Sequence, residues 1–417
     1  MTFKPRHLLG RLAGITALTL SLSACVDDGG NGSSAVNADN FDFVRMLANY
    51  ADNLIIPNYQ HAAEVSADLS GDSGAIASYC SAIGSGEEDN ALAVAQQQWR
   101  DTMDAWQATE LHQVGPVLDN SGALRNRVLS FSRGAPLSTC GVDQAVVLAA
   151  DNDNFNLGSR AANQRGLGAV EYLLFSDDLS HTCPSQIQET ADWDQRPEQE
   201  RKTLRCNYAQ KLADDINAAA TTLADAWTIG AGNYRSTFID PANAGDSVKA
   251  LSDALFFLDT EVKDAKLGIP LGISASCSQP ACPEVAESRF AQYSLSNIEN
   301  NLNAFAALLT GGSGLGFDDI IAQAGVPSVT ELMQSNTAAA LAEIDAMTTT
   351  LSEQAKGITD GADESTCATA ADSPDGDRTI PACNLYGYIR RVTDTLKVGF
   401  VAAVDVDLPD RAQADND

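Results

Sequence analysis

The sequence predicts an all-α protein built as two helical bundles. Three observations carry this. Apolar residues recur at steps of three and four along most of the chain, which is the spacing of one helix face; Leu204, Tyr208, Leu212, Ile216, Ala219, Leu223 and Trp227 form the longest such run. No stretch alternates β-branched or aromatic residues with polar ones at the period of two that a half-buried strand needs. A chain of 417 residues is also too long for one small core. Amphipathic stripes of this width bury themselves by bundling, and each half offers about four of them.

Taken in order, residues 1–24 read as an export leader. Lys4, Arg6 and Arg11 precede an apolar run from Leu12 to Leu22, too short to span a bilayer, and Leu22-Ser23-Ala24-Cys25 has the form of a lipoprotein cleavage box. Cys25 is then the expected lipidated first residue of the mature chain, followed by a Gly/Ser/Asp tether over 25–40. Val26 after Cys25 suits the outer membrane of a bacterial envelope.

The first bundle is expected over 41–190. Phe43, Leu47, Ala51 and Leu54 share a helix face, and Pro57 is expected to kink that helix before Tyr59 to Leu69 continue it. Residues 70–89 read as a loop. Leu92, Ala95, Trp99, Met103 and Trp106 give a second helix, ended by Gly115-Pro116; a shorter one runs from Leu118 to Phe131, and 151–158 is a loop. The polar stretch 181–197 is the candidate boundary. The second bundle is expected over 198–405, with an acidic tail over 406–417. It starts with the long Leu204 to Trp227 run. A loop over 229–245, a helix from Val248 to Val262 stopped at Gly268-Ile269-Pro270, and a helix through Leu295 and Leu309 follow. Ser328-Val329-Thr330-Glu331 has the form of a capping box opening a helix through Leu351, 357–381 is a polar loop, and the last helix runs from Leu385 to about Ala403.

The chain carries 56 acidic against 26 basic residues, a formal charge of −30. That balance argues against nucleic acid or anionic lipid as a surface partner and is compatible with attracting cations or with keeping an exported protein soluble. Besides Cys25 there are Cys80, Cys140, Cys183, Cys206, Cys277, Cys282, Cys367 and Cys383, an even set that predicts four disulfides. Sequence alone leaves the pairing open, and joining neighbours is the simplest choice: Cys80–Cys140, Cys183–Cys206, Cys277–Cys282 and Cys367–Cys383.

One stretch stands out for chemistry. In Arg165-Gly166-Leu167-Gly168-Ala169-Val170-Glu171-Tyr172-Leu173-Leu174-Phe175 a glutamate sits inside an apolar helical run. Glu171 either turns to water or is buried with a partner at a ligand site, and periodicity does not separate the two. Gly168, three residues earlier, shares its face and weakens the helix, which implies either close backbone packing or space left for a ligand. Beyond the leader the histidines are His61, His112 and His181. His61 and Glu64 have ligand spacing but read as a surface pair. Glu110 and His112 follow the Trp106 helix, near enough to its end for a groove role. No H-E-x-x-H and no G-x-S-x-G occurs, so neither a zincin protease nor an α/β-hydrolase is supported.

Several motifs in this order resemble the imelysin family of exported bacterial helical proteins, once described as metallopeptidases and often iron-regulated. The residues are Ala48 to Tyr59, then Trp99-Arg100 through Trp106 with Gly115-Pro116, then Arg165 to Phe175. Glu287-Ser288-Arg289-Phe290, Ser294 and Val398-Gly399-Phe400 are fainter matches. The resemblance implies two packed four-helix-type bundles with a groove between them and a central G-x-H-x-x-E motif. Gly166 and Glu171 match that motif; Gly168 stands where it has histidine, so a His–Glu metal pair cannot form. The resemblance thus favours a non-catalytic envelope lipoprotein binding a metal, iron-related or haem-related ligand in the groove, with Glu171, Glu110 and His112 as candidate contacts. A metallopeptidase of the family type, and a structural lipoprotein docking another envelope protein, are the alternatives.

Overall fold

A computed structural model describes residues 41–131, 136–152, 154–359, 364–376, 380–406 and 409. The leader, Cys25, the tether and most of the acidic tail lie outside them. No strand occurs among the described residues, and the all-α class is observed.

Helix α1 (Phe43–Tyr50) starts behind Asp42, whose side chain accepts the N–H of Arg45 at 3.0 Å. A π-helical turn, Ala51–Ile55, leads into α2 (Ile56–Leu69). Pro57 accounts for the change of pitch. Its ring would collide with the carbonyl four residues back and it has no N–H to give, so the turn before it widens and Pro57 falls in the first turn of α2. The stretch 70–89, a loop by its sequence, contains α3 (Ala75–Ala82); its alanines and serines mask the apolar period, while Ile76 and Tyr79 are buried. Helix α4 (Glu88–Gln107) follows as predicted.

The single helix predicted from Leu118 to Phe131 is instead a 3-10 turn (Gly115–Leu118), α5 (Asp119–Gly122) and α6 (Arg125–Val128). Asn120 and Ser121 take left-handed φ angles of 50° and 60°, which no continuous helix permits. Next come α7 (Thr139–Asp151), capped by Ser138, α8 (Gly166–Phe175) and α9 (Glu198–Trp227). In the second half lie α10 (Tyr234–Phe238), α11 (Ala244–Leu255) and a π segment, Leu258–Gly268. Then follow α12 (Ser294–Thr310), α13 (Phe317–Gln323), α14 (Ser328–Ala346), α15 (Leu351–Thr359), α16 (Glu364–Asp372), α17 (Pro381–Thr395), a π turn (Leu396–Phe400) and α18 (Val401–Val404). The predicted capping box does not form: Pro327 takes the cap position and Ser328 is already helical, without a side-chain cap bond. Helices α10 and α16 occupy stretches that read as loops.

Helices α2, α3, α4, α8 and α9 pack on one another, with α6 and α7 against α9. A second group is α12, α14, α17 and the π segment 258–268. The predicted boundary at 181–197 places α9 with the second group, yet α9 lies against the first. The disulfides follow that packing. Cys80 pairs with Cys206 across α3 and α9, and Cys140 pairs with Cys183, so the neighbour pairing fails for these four cysteines. Cys277–Cys282 and Cys367–Cys383 form as predicted. The two helix groups meet where α4 packs on α12, and α1 packs on α11.

Candidate functional site

The site is built at the start of α8. Gly166 has a φ of +75°, and a Cβ there would lie 2.6 Å from the Val128 carbonyl oxygen. Only glycine combines that backbone with so close an approach, and it sets α8 directly against the end of α6. From Leu167 to Leu174 nearly every side chain of α8 is buried, so Glu171 cannot simply turn out to the surface. Trp99 on α4 fixes the first turn by donating its indole N–H to the Leu167 carbonyl at 2.9 Å.

Glu171 is 3% exposed. Its Oε1 accepts the backbone N–H of Phe290 at 2.6 Å and of Ala291 at 3.0 Å. These bonds join the first helix group to the segment that leads into α12. That segment curls tightly: Ser288 and Gln292 sit at φ +51° and +54°, and the Tyr293 N–H returns to the Ser288 carbonyl at 3.0 Å. The Tyr172 and Phe290 rings meet at a tilt of 53°, with 5.1 Å between ring centres. Burial pushes the Glu171 carboxyl up to about 7, against the lowering effect of the two N–H donors; Glu287 nearby raises it and Arg289 lowers it.

Behind the curl lies a second buried group. The Lys266 ammonium, on the π segment, donates to Gln107 Oε1 at 2.6 Å, Glu110 Oε2 at 2.6 Å and Asn301 Oδ1 at 2.8 Å, and lies 3.0 Å from Glu287 Oε2. Asn297 donates to Glu287 Oε2 at 2.9 Å and Asn301 to the Gln107 carbonyl at 2.9 Å. Four oxygens thus surround one ammonium, in the manner of a cation site already filled by the chain. Burial raises the Glu110 carboxyl to about 7, with Lys266 opposing and Glu287 adding to the rise. Burial works against the Lys266 charge, but Glu110 and Glu287 outweigh it and its pKa is raised. Glu110 Oε1 keeps no protein partner.

A cavity of about 40 Å³ opens beside Glu171, lined in part by Met103, Leu129, Gly168, Arg165 and Arg289. A Cβ at Gly168 would meet only Leu137 Cδ1, at 3.8 Å. Of the two explanations for this glycine, close backbone packing does not hold; space does.

The predicted site residues are only partly gathered. Glu171 and Glu110 both lie near enough to Glu287 for its charge to raise their pKa values. His112 belongs elsewhere: its Nε2 lies 2.9 Å from the Asn58 amide, its carbonyl accepts the Tyr59 hydroxyl at 3.0 Å, and burial lowers its pKa to about 4, so it stays neutral. His61 and Glu64 are exposed. Lys266, Gln107, Asn301 and Glu287 were not readable as a cluster. The stretch Glu287 to Phe290 was the one hint, and it forms the far wall of the site. Among the described residues no group of three or more His, Cys, Asp or Glu side chains is placed to hold a metal ion. With Gly168 offering no side chain and Glu171 Oε1 occupied by two N–H groups, these donors do not fit a bare ion held by protein alone.

The model of a family described as Imelysin matches residues 55–382. None of the curated proteins compared with the chain is similar to it in sequence. Among solved structures, an imelysin-like protein from Psychrobacter arcticum 273-4 superposes with a TM-score of 0.61 at 16% identity, over 88% of this chain and 96% of that one. A protein from Parabacteroides distasonis ATCC 8503, described as an iron-regulated protein A precursor, superposes with a TM-score of 0.60 at 16% identity, over 87% and 94%. At that identity the likeness speaks for the fold.

Proposed function

Since the chain belongs to the imelysin family, we propose that it is a non-catalytic envelope protein that holds a small iron-related ligand in the cavity beside Glu171. The observation that carries this reading is the open space at Gly168, next to a buried carboxylate at the seam of the two helix groups. An apolar-walled recess with a few convergent polar groups has the lining of a small-ligand site, and at about 40 Å³ it takes one group of the ligand while the rest lies at the mouth. The iron-related character draws on the family resemblance and on the structural neighbour described as iron-regulated. The metallopeptidase reading is weaker. Hydrolysis by a metal needs several protein ligands and an open position, and the described residues around Glu171 supply too few. Cys25 as a lipid anchor in the outer membrane completes the proposal.

The test is iron uptake. Full-length protein, purified in detergent, is dialysed against ferric citrate and its bound iron measured by elemental analysis. The expected result is one iron per chain, lost in a Gly168→Leu variant whose side chain fills the recess and whose circular dichroism is unchanged. No uptake by the native chain, or equal uptake by the variant, contradicts the proposal. So does chelator-sensitive peptide cleavage that Glu171→Gln abolishes.

A further inference from the structure

We infer that the cavity beside Glu171 receives a carboxylate group of its ligand, held by the guanidinium groups of Arg165 and Arg289, so that the ligand is an organic acid or its metal chelate rather than a bare ion. The inference rests on the reading of this cavity as a binding site.

Arg165 and Arg289 both line the cavity. Neither side chain forms a hydrogen bond or an ion pair with a described residue, although the chain has 56 acidic residues against 26 basic ones. Arg165 Nε is buried without a partner. Arg289 lies with its guanidinium 4.5 Å from the centre of the Phe290 ring, a contact that leaves the N–H edge of the group unused, and its charge reaches Glu171. A guanidinium carries five N–H donors in a planar fork shaped for carboxylate. Two such residues in the wall of one recess, paired with no described residue, are open to an anion.

Two hydroxyls add to this. Ser288 Oγ accepts an N–H from Asn297 at 2.9 Å, which leaves its own proton free to donate. Ser130 also lines the recess. The volume fits the group: one water needs roughly 10–15 Å³ of such space, so about 40 Å³ takes the three heavy atoms of a carboxylate.

The acidic neighbours set the charge of the guest. Glu287 shares the Lys266 ammonium, at 3.0 Å, with Glu110 at 2.6 Å, and Glu284 stands at the exposed edge. Glu171 is the buried carboxyl of the lining that has no cationic partner among the described residues, and in its protonated form it can donate to a ligand oxygen. A phosphate group, with five heavy atoms against the three of a carboxylate, would overfill about 40 Å³ of such space, which favours the latter.

The test is calorimetric titration of the full-length chain with iron-free citrate, inorganic phosphate and ferrous ion separately, in the native protein and in Arg165→Ala, Arg289→Ala and Arg289→Lys. Citrate is expected to bind the native chain, to weaken about ten-fold or more in each alanine variant, and to recover in part in the lysine variant. Citrate binding that both alanine variants leave unchanged overturns the inference, as does phosphate binding as tight as citrate. Ferrous ion or ferric citrate binding that depends on Gly168, without citrate binding, overturns the inference and leaves the cavity reading standing. Binding of none of these, ferric citrate included, overturns both.

Discussion

At the residue scale, Glu171 does two jobs with its two oxygens. Oε1 ties α8 to the Phe290 and Ala291 backbone, and no described donor reaches Oε2. Its carboxyl pKa is about 7 in the folded chain against an ordinary 4.5. The folded form therefore binds more protons than the unfolded one between those values. The stability this group contributes is full below the unfolded pKa and is lost as pH rises through the folded pKa. Glutamine keeps a carbonyl oxygen for both N–H groups and has no proton to lose. Glu171→Gln should melt close to the native temperature at pH 5 and several degrees higher than native, roughly, at pH 8. Melting curves that stay parallel across this range contradict the assignment. Glu171 was legible because its apolar surroundings mark it. Lys266 was not, because its partners lie far away in sequence; Gln107 and Glu110 are separated from it by 159 and 156 residues.

At the element scale, the long helices were readable because packing repeats their apolar period many times over. The sequence misplaced elements where that signal is short or masked. Helix α3 hides behind alanine and serine, α10 is a single turn or so, and the break at Asn120 and Ser121 rests on left-handed backbone that no period reports. The boundary at 181–197 looked right as a polar stretch, but polarity marks exposure, not domain membership. Helix α9 returns across α2, α3 and α8, and the Cys80–Cys206 bridge, with a sequence separation of 126, closes that return. Replacing both cysteines by alanine should lower stability by about 2–5 kcal/mol in urea unfolding. The same change at Cys277 and Cys282, separated by 5 residues, should cost less, because the loop it closes is short. Equal costs at the two bridges would show that α9 is held without its bridge.

At the scale of the whole molecule, two helix groups meet along a seam, and the unusual polar residues collect there. Lys266 fills the deeper position with a charge of its own. The shallower position beside Glu171 stays open because Gly168 has no side chain. The acidic surface makes two arginines that pair with no described residue at this recess more telling than they would be on a basic protein. The family match and the structural likeness agree with the all-α fold. The most direct measurement is anomalous diffraction at the iron edge from crystals of the protein soaked in ferric citrate. The account predicts one iron peak at the mouth of the cavity beside Glu171 and Arg289. A peak elsewhere, or iron ligated at Lys266's position with that side chain displaced, would contradict it.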